Sequence, residues 1–131
     1  MNARRPQLRI THAGPVASVA LARARQRGMR VADLLLDLCV ALEEIGRRAE
    51  TRAIVLTADS EAFSIGGDLR RFAHEAGNAE LETYSAELVG LLNQAILALM
   101  KSPQPVVAAV QGSVTGGAIG LVLASDVVVA A

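Results

Sequence analysis

One cysteine, no tryptophan and only three other aromatic residues are a thin allotment for 131 residues, and each shortage removes a class of protein. Cys39 has no partner in the chain, so a disulfide scaffold is excluded, and the usage suits a reducing, cytoplasmic setting. Phe63, Phe72 and Tyr84 are too few to build a surface that stacks bases, so nucleic acid is not an expected partner. Thr11–Pro15 interrupts any apolar run that could serve as a secretory signal. No His/Cys cluster has metal-ligand spacing, and no metal is expected. Acidic residues are missing from the first 30 positions, which hold Arg4, Arg5, Arg9, Arg23, Arg25, Arg27 and Arg30, although the whole chain is net neutral. A basic end attracts anions such as cofactor phosphates, nucleic acid or an acidic lipid face, and reads equally well as a solvated arginine-rich loop.

The familiar glycine motifs are missing too. There is no G-x-x-x-x-G-K-[ST] phosphate loop, no G-x-G-x-x-G dinucleotide fingerprint and no G-x-S-x-G elbow, and His12 and His74 have no evident triad partners. Charge is absent from residues 102–125, where Gly112, Gly116 and Gly120 recur at four-residue spacing, a pattern also found in membrane helix pairs. Pro103, Gln104, Pro105, Gln111, Ser113 and Thr115 break that stretch, which reads as buried core and not as a membrane span.

What is present is apolar residue in quantity, 52% against 20% charged, enough for one folded domain with a real core. Leu8–Thr11 and Val16–Leu21 read as strands around a turn at His12–Pro15. Val31, Leu34, Leu35, Leu38, Leu42 and Ile45 fall at helical spacing and predict a helix to about Ala49, with Cys39 as a packed core thiol and Glu43–Arg47 and Glu44–Arg48 paired on the outer face. Ala53–Thr57 and Val106–Val110 are short apolar runs that predict strands buried on both faces. Leu69 to about Glu75 predicts a short helix. Leu81, Tyr84, Leu88, Leu91, Leu92, Ala95, Ile96 and Leu99 mark a long one, stopped by the prolines after it. Ala118–Ala124 reads as helix and Val127–Ala131 as strand. Alternation of helices and apolar strands argues for an α/β fold with largely parallel strands.

Two glycine pairs stand out by their placement. Gly66–Gly67 follows one apolar strand and Gly116–Gly117 follows the other, and ligands of open α/β folds bind beyond the carboxyl ends of strands. Glycine there permits positive φ and close approach of a ligand to the backbone. The second pair also opens a helix, where amides lack partners and the dipole favours negative charge. Two such amides aimed at one point form an oxyanion hole, each donor contributing about 3 kcal/mol to a transition state; the alternative is that these are plain turn glycines.

The wording around both pairs is specific. Ala53-Ile-Val-Leu-Thr-Ala-Asp-Ser-Glu-Ala-Phe-Ser-Ile-Gly-Gly-Asp-Leu69 and Pro105-Val-Val-Ala-Ala-Val-Gln-Gly-Ser-Val-Thr-Gly-Gly-Ala-Ile-Gly-Leu-Val-Leu-Ala-Ser-Asp126 resemble the two signatures of the enoyl-CoA hydratase/isomerase (crotonase) superfamily, at matching separation. The resemblance implies an α/β fold of repeated ββα units. It places residues 1–131 as the amino-terminal part of one such domain, a probable fragment truncated before the carboxy-terminal helices. It also implies an acyl-CoA thioester as ligand, coenzyme A being carried as part of the substrate with no separate cofactor, and a homotrimer or hexamer for a full-length member. The amide positions fall on Gly67 and Gly117. Ser64, Ile65, Gly66 and Asp68 would line the adenine and pantetheine path, and Arg70, with arginines among Arg23–Arg27, would meet the phosphates.

The chain departs from that pattern at informative places. Hydratases of the family need two glutamates; the first falls on Gly120 and the second beyond Ala131. An acid–base group is typically worth 10²–10⁴-fold, so an isomerase or lyase is expected over a standard hydratase, with a non-catalytic binding or assembly protein as the alternative. Asp68 and Asp126 are expected to be mainly structural. Ala24 and Gly28 stand where the family usually carries proline and asparagine.

Overall fold

The computed structural model describes residues 7–22 and 30–131. Five strands and four helices follow in the order β1 (Leu8–Ala13), β2 (Val16–Leu21), α1 (Val31–Gly46), β3 (Ala53–Ala58), α2 (Leu69–Glu75), α3 (Glu80–Met100), β4 (Val106–Val110), α4 (Ala118–Leu123) and β5 (Val127–Ala130). The strands lie in one sheet in sequence order, β1 antiparallel to β2 and every later neighbour parallel. Parallel neighbours require a crossover, and helices supply it. The α/β expectation therefore holds.

Register is set by which residues must be buried. Ala17, Val19 and Leu21 of β2 stand opposite Ile54, Leu56 and Ala58 of β3, and Ile54 and Leu56 stand opposite Val106 and Ala108 of β4. All of these are buried. A slip of one residue would turn that whole row to the other face. Leu35, Leu38, Leu42 and Ile45 of α1 and Ala95 and Leu99 of α3 close the core over this row. The stripe on α1 is the i, i+3, i+4 pattern of a helix lying on a sheet.

Several expectations change. The strands β3 and β4 are buried on alternate residues only, because the described helices cover one face. The first strand runs on to Ala13, narrowing the turn to Gly14 and Pro15, where Gly14 takes a φ of 56°. The helix α1 ends at Gly46, short of Ala49; a Cβ there would press on the Pro103 ring at 3.4 Å. Cys39 is half-buried at the edge of the core. Glu43 and Arg47 form the expected ion pair, whereas Arg48 turns toward His12 and Glu50. The uncharged stretch after Ser102 folds into β4, a loop and α4, and among the described residues no helix is long and apolar enough to cross a membrane. Edge strand β5 exposes Val127, Val128 and Val129.

Asp126 joins β5 to its neighbour: Val106 N donates to Asp126 Oδ2 at 2.7 Å and Asp126 N donates to Val106 O at 2.9 Å. Its expected structural role is thus visible as a specific pair of bonds.

Candidate active site

Because β3 and β4 are parallel, the loops that follow them leave the same end of the sheet. The first loop is tied down along its length. Asp59 N donates to Leu21 O, and Arg9 Nε donates to the Asp59 carboxylate at 2.8 Å. That bond, with the charge of Asp59, raises the Arg9 pKa above its ordinary value. Phe63 is buried in the core, giving the loop an apolar anchor. From the second loop, Gln111 Nε2 donates to Ala58 O and Ser60 O at 2.7 and 2.9 Å.

The two loops then pair with each other. Ser64 and Val114 form a parallel bridge, with Ser64 N donating to Ser113 O at 3.2 Å and Thr115 N donating to Ser64 O at 3.0 Å. This short ladder delivers one glycine pair beside the other. The contact is close: a Cβ on Gly116 would lie 3.3 Å from Gly66 Cα. Both residues are also left-handed, with φ of 60° and 90°, so conformation and space each call for glycine there. At Gly112, φ is 65° and a Cβ would fall 2.0 Å from Glu61 O, which makes it the least replaceable glycine of the pairing.

Gly67 and Gly117 come next in each loop. Gly117 caps the amino end of α4 with ordinary right-handed angles, φ −61° and ψ −22°. Among the described residues neither the Gly67 nor the Gly117 amide has an acceptor within the chain. Unpaired amides at the surface are ready donors for an external oxygen.

The remaining expected residues sort as follows. Ser64 is in the bridge, and its hydroxyl accepts from Gly66 N at 3.2 Å. Ile65 is exposed. Asp68 caps α2, its Oδ1 accepting from the amides of Arg70 and Arg71 at 3.0 and 3.3 Å. Arg70 is exposed in the first turn of that helix. The arginines among Arg23–Arg27, with Ala24 and Gly28, lie outside the described residues. Among the described residues no group of three or more His, Cys, Asp or Glu could hold a metal. In the sequence Gly112 reads only as one member of a four-residue glycine spacing and Gln111 as a polar break in an uncharged stretch; that they hold the loops together is visible only in the fold.

The position at which the resemblance implies a carboxylate holds glycine, with the end of the Ile96 side chain close to it. A Cβ at Gly120 would lie 2.8 Å from Ile96 Cδ1. A groove of about 530 Å³ does exist elsewhere, lined by Cys39, Leu42, Gln94, Lys101 and Pro103 among others. It lies between the later parts of α1 and α3, and neither glycine loop lines it. Burial raises the Cys39 thiol pKa above its ordinary value, which disfavours the thiolate, the reactive form.

Comparison with known proteins agrees with this fold. The family model described as enoyl-CoA hydratase/isomerase matches residues 12–131. The chain is 32% identical over 124 residues to a probable enoyl-CoA hydratase of Mycobacterium bovis, covering 92% of this chain and 44% of that protein. It is 36% identical over 118 residues to a putative enoyl-CoA hydratase of Thermus thermophilus, covering 88% of this chain and 45% of that one. The crystal structure of an enoyl-CoA hydratase from a Polaromonas species superimposes with a TM-score of 0.84 at 28% identity, over 95% of this chain and 48% of that one. The chain thus spans about half the length of the relatives it matches.

Proposed function

The chain belongs to the enoyl-CoA hydratase/isomerase (crotonase) family, and on that premise we propose that it binds an acyl-CoA thioester and stabilises the enolate of that thioester between the amides of Gly67 and Gly117. The observation that supports this most is the loop pairing at Ser64 and Val114, which brings Gly66 against Gly116, the residues just before the two amides, at the carboxyl ends of parallel strands. Removing a proton next to a thioester carbonyl moves negative charge onto the oxygen. Donors already fixed in place favour that charge without reorganising, and each is worth about 3 kcal/mol.

The reaction favoured is of the isomerase or lyase type. A standard hydratase needs a carboxylate at the position of Gly120, and Ile96 closes on that glycine. Crotonyl-CoA hydration is therefore expected at least ~100-fold below that of a hydratase carrying its acid–base glutamates. The same glycine supports a second reading, a protein that binds acyl-CoA without turning it over. Ser64, Ile65 and Gly66 form the wall along the pantetheine path in this proposal, Asp68 shapes it by capping α2, and Arg70 meets a phosphate.

Isothermal titration with butyryl-CoA tests the binding, and proton NMR in D₂O tests the chemistry through exchange of the protons next to its carbonyl. Saturable binding that Gly117→Val abolishes, with exchange above the free thioester, is the expected result. Binding without exchange selects the non-catalytic reading. A folded sample that does not bind at all overturns both.

A further inference from the structure

Gly117 poses a problem that its own backbone does not answer. Its φ of −61° and ψ of −22° suit any residue, so conformation does not demand glycine. What a side chain there would meet is the end of Leu92, which would have to move: a Cβ at Gly117 would lie 2.5 Å from Leu92 Cδ2 and 3.5 Å from its Cδ1. The same arrangement recurs along α3. Leu88 Cδ2 stands 3.8 Å from where a Cβ on Gly67 would be, with Phe72 Cε2 at 2.9 Å. Ile96 closes on Gly120, and Tyr84 meets Phe72 edge to face at 5.2 Å.

Tyr84, Leu88, Leu92 and Ile96 are spaced by four residues, one ridge of a helix. That ridge seats its members in turn against Phe72, Gly67, Gly117 and Gly120. One helical turn separates Leu88 from Leu92, about 6 Å along the axis. Two N–H donors that each reach about 2.9 Å to a shared oxygen can be no more than about 6 Å apart. The ridge therefore has the pitch that an amide pair needs.

Resting on the reading of Gly67 and Gly117 as that pair, we propose that Leu92 is a positioning residue which, with Leu88 one turn before it, holds the Gly117 amide at the distance from the Gly67 amide where both address one carbonyl oxygen. The absent side chain at Gly117 is the seat for Leu92, and α3 acts as the ruler between loops that come from different strands. Leu92 touches no substrate in this account; it acts through the glycine.

Cinnamoyl-CoA is a suitable probe, because its absorbance moves to longer wavelength when donors polarise its carbonyl. Binding to the unaltered chain is expected to produce that red shift. Leu92→Ala is expected to keep affinity within about threefold and lose at least half of the shift, and Leu92→Met, which refills the seat, to restore it. Gly117→Ala is expected to lose both shift and affinity. The double variant Gly117→Ala/Leu92→Ala is expected to recover affinity, since the colliding atoms are gone. Leu91→Ala, off the ridge, measures the effect of a core truncation alone and is expected to leave the shift intact. Should Leu92→Ala unfold, the urea midpoints of Gly117→Ala, Leu92→Val and their double variant still read the coupling, and simple additivity overturns the proposal. A full shift in a folded Leu92→Ala, or an equal loss in Leu91→Ala, also overturns it. Failure of the unaltered chain to bind or shift the probe has a different meaning: the amide-pair reading itself falls, and the ruler with it.

Discussion

The two ends of the sheet are built from the same strands and behave differently. At the amino ends of β3 and β4 the polar groups find partners inside the chain. Buried Gln104 donates from Nε2 to Ile45 O and Thr51 O, and the Asp126 carboxylate accepts from Val106 N. At the carboxyl ends the loops pair only as far as Thr115, after which the Gly67 and Gly117 amides go without an acceptor among the described residues. Buried polar groups left unpaired cost stability, so structural regions satisfy them. An end that leaves donors open at a surface is where a ligand's oxygen is wanted.

That contrast can be broken by substitution. Gly112→Ala is expected to have the largest effect, about 4 kcal/mol or more of lost stability, because its Cβ would collide with Glu61 O and its φ is left-handed. Chemical denaturation checks it, and acyl-CoA binding should vanish in the same variant because the loop pairing goes with it. Asp126→Ala removes the acceptor of Val106 N and is expected to cost roughly 1–3 kcal/mol. Asp126→Asn should recover most of that loss, and butyryl-CoA titration of the folded fraction should be unchanged, since this aspartate belongs to the satisfied end. Asp68→Ala removes the cap of α2 and is expected to cost about 1 kcal/mol; unlike Asp126→Ala, it should also weaken acyl-CoA binding, because α2 begins directly after Gly67.

The smallest expected effect is at Cys39. Burial raises its pKa in the folded chain above its ordinary value, so the folded state holds the proton longer than the unfolded state does. Its contribution is complete below the unfolded pKa and is lost as the pH rises through the folded pKa. A urea-midpoint series across the alkaline range should show a downturn that Cys39→Ala removes. Alkylation of the native thiol at neutral pH should be slow compared with the urea-unfolded chain.

Much of the fold is legible in the residues themselves. The helical spacing from Val31 to Ile45 and from Leu81 to Leu99 places α1 and α3 within a few residues of their observed limits. Proline ends α3, and Asp68 begins α2 as an N-cap should. The glycine pairs, too, are found by their position after apolar strands. Their juxtaposition is not, because Ser64 and Val114 are 50 positions apart and nothing local in either loop specifies the other. Burial in β3 and β4, alternate and not two-sided, is not legible for a similar reason: an apolar run records what a strand tolerates on each face, and only the placement of α1 and α3 decides which face is covered.

The difference at Gly117 is the sharpest instance of that division. Composition and order along the chain determine that these residues form an α/β sheet, that the loops after β3 and β4 carry glycine, and that no carboxylate stands at Gly120, since propensity, periodicity and residue identity are local properties. That Gly117 lies against Leu92, a residue 25 positions earlier on another helix, is decided by the fold. Contact across the fold depends on where every element comes to rest, and no short stretch of sequence contains that.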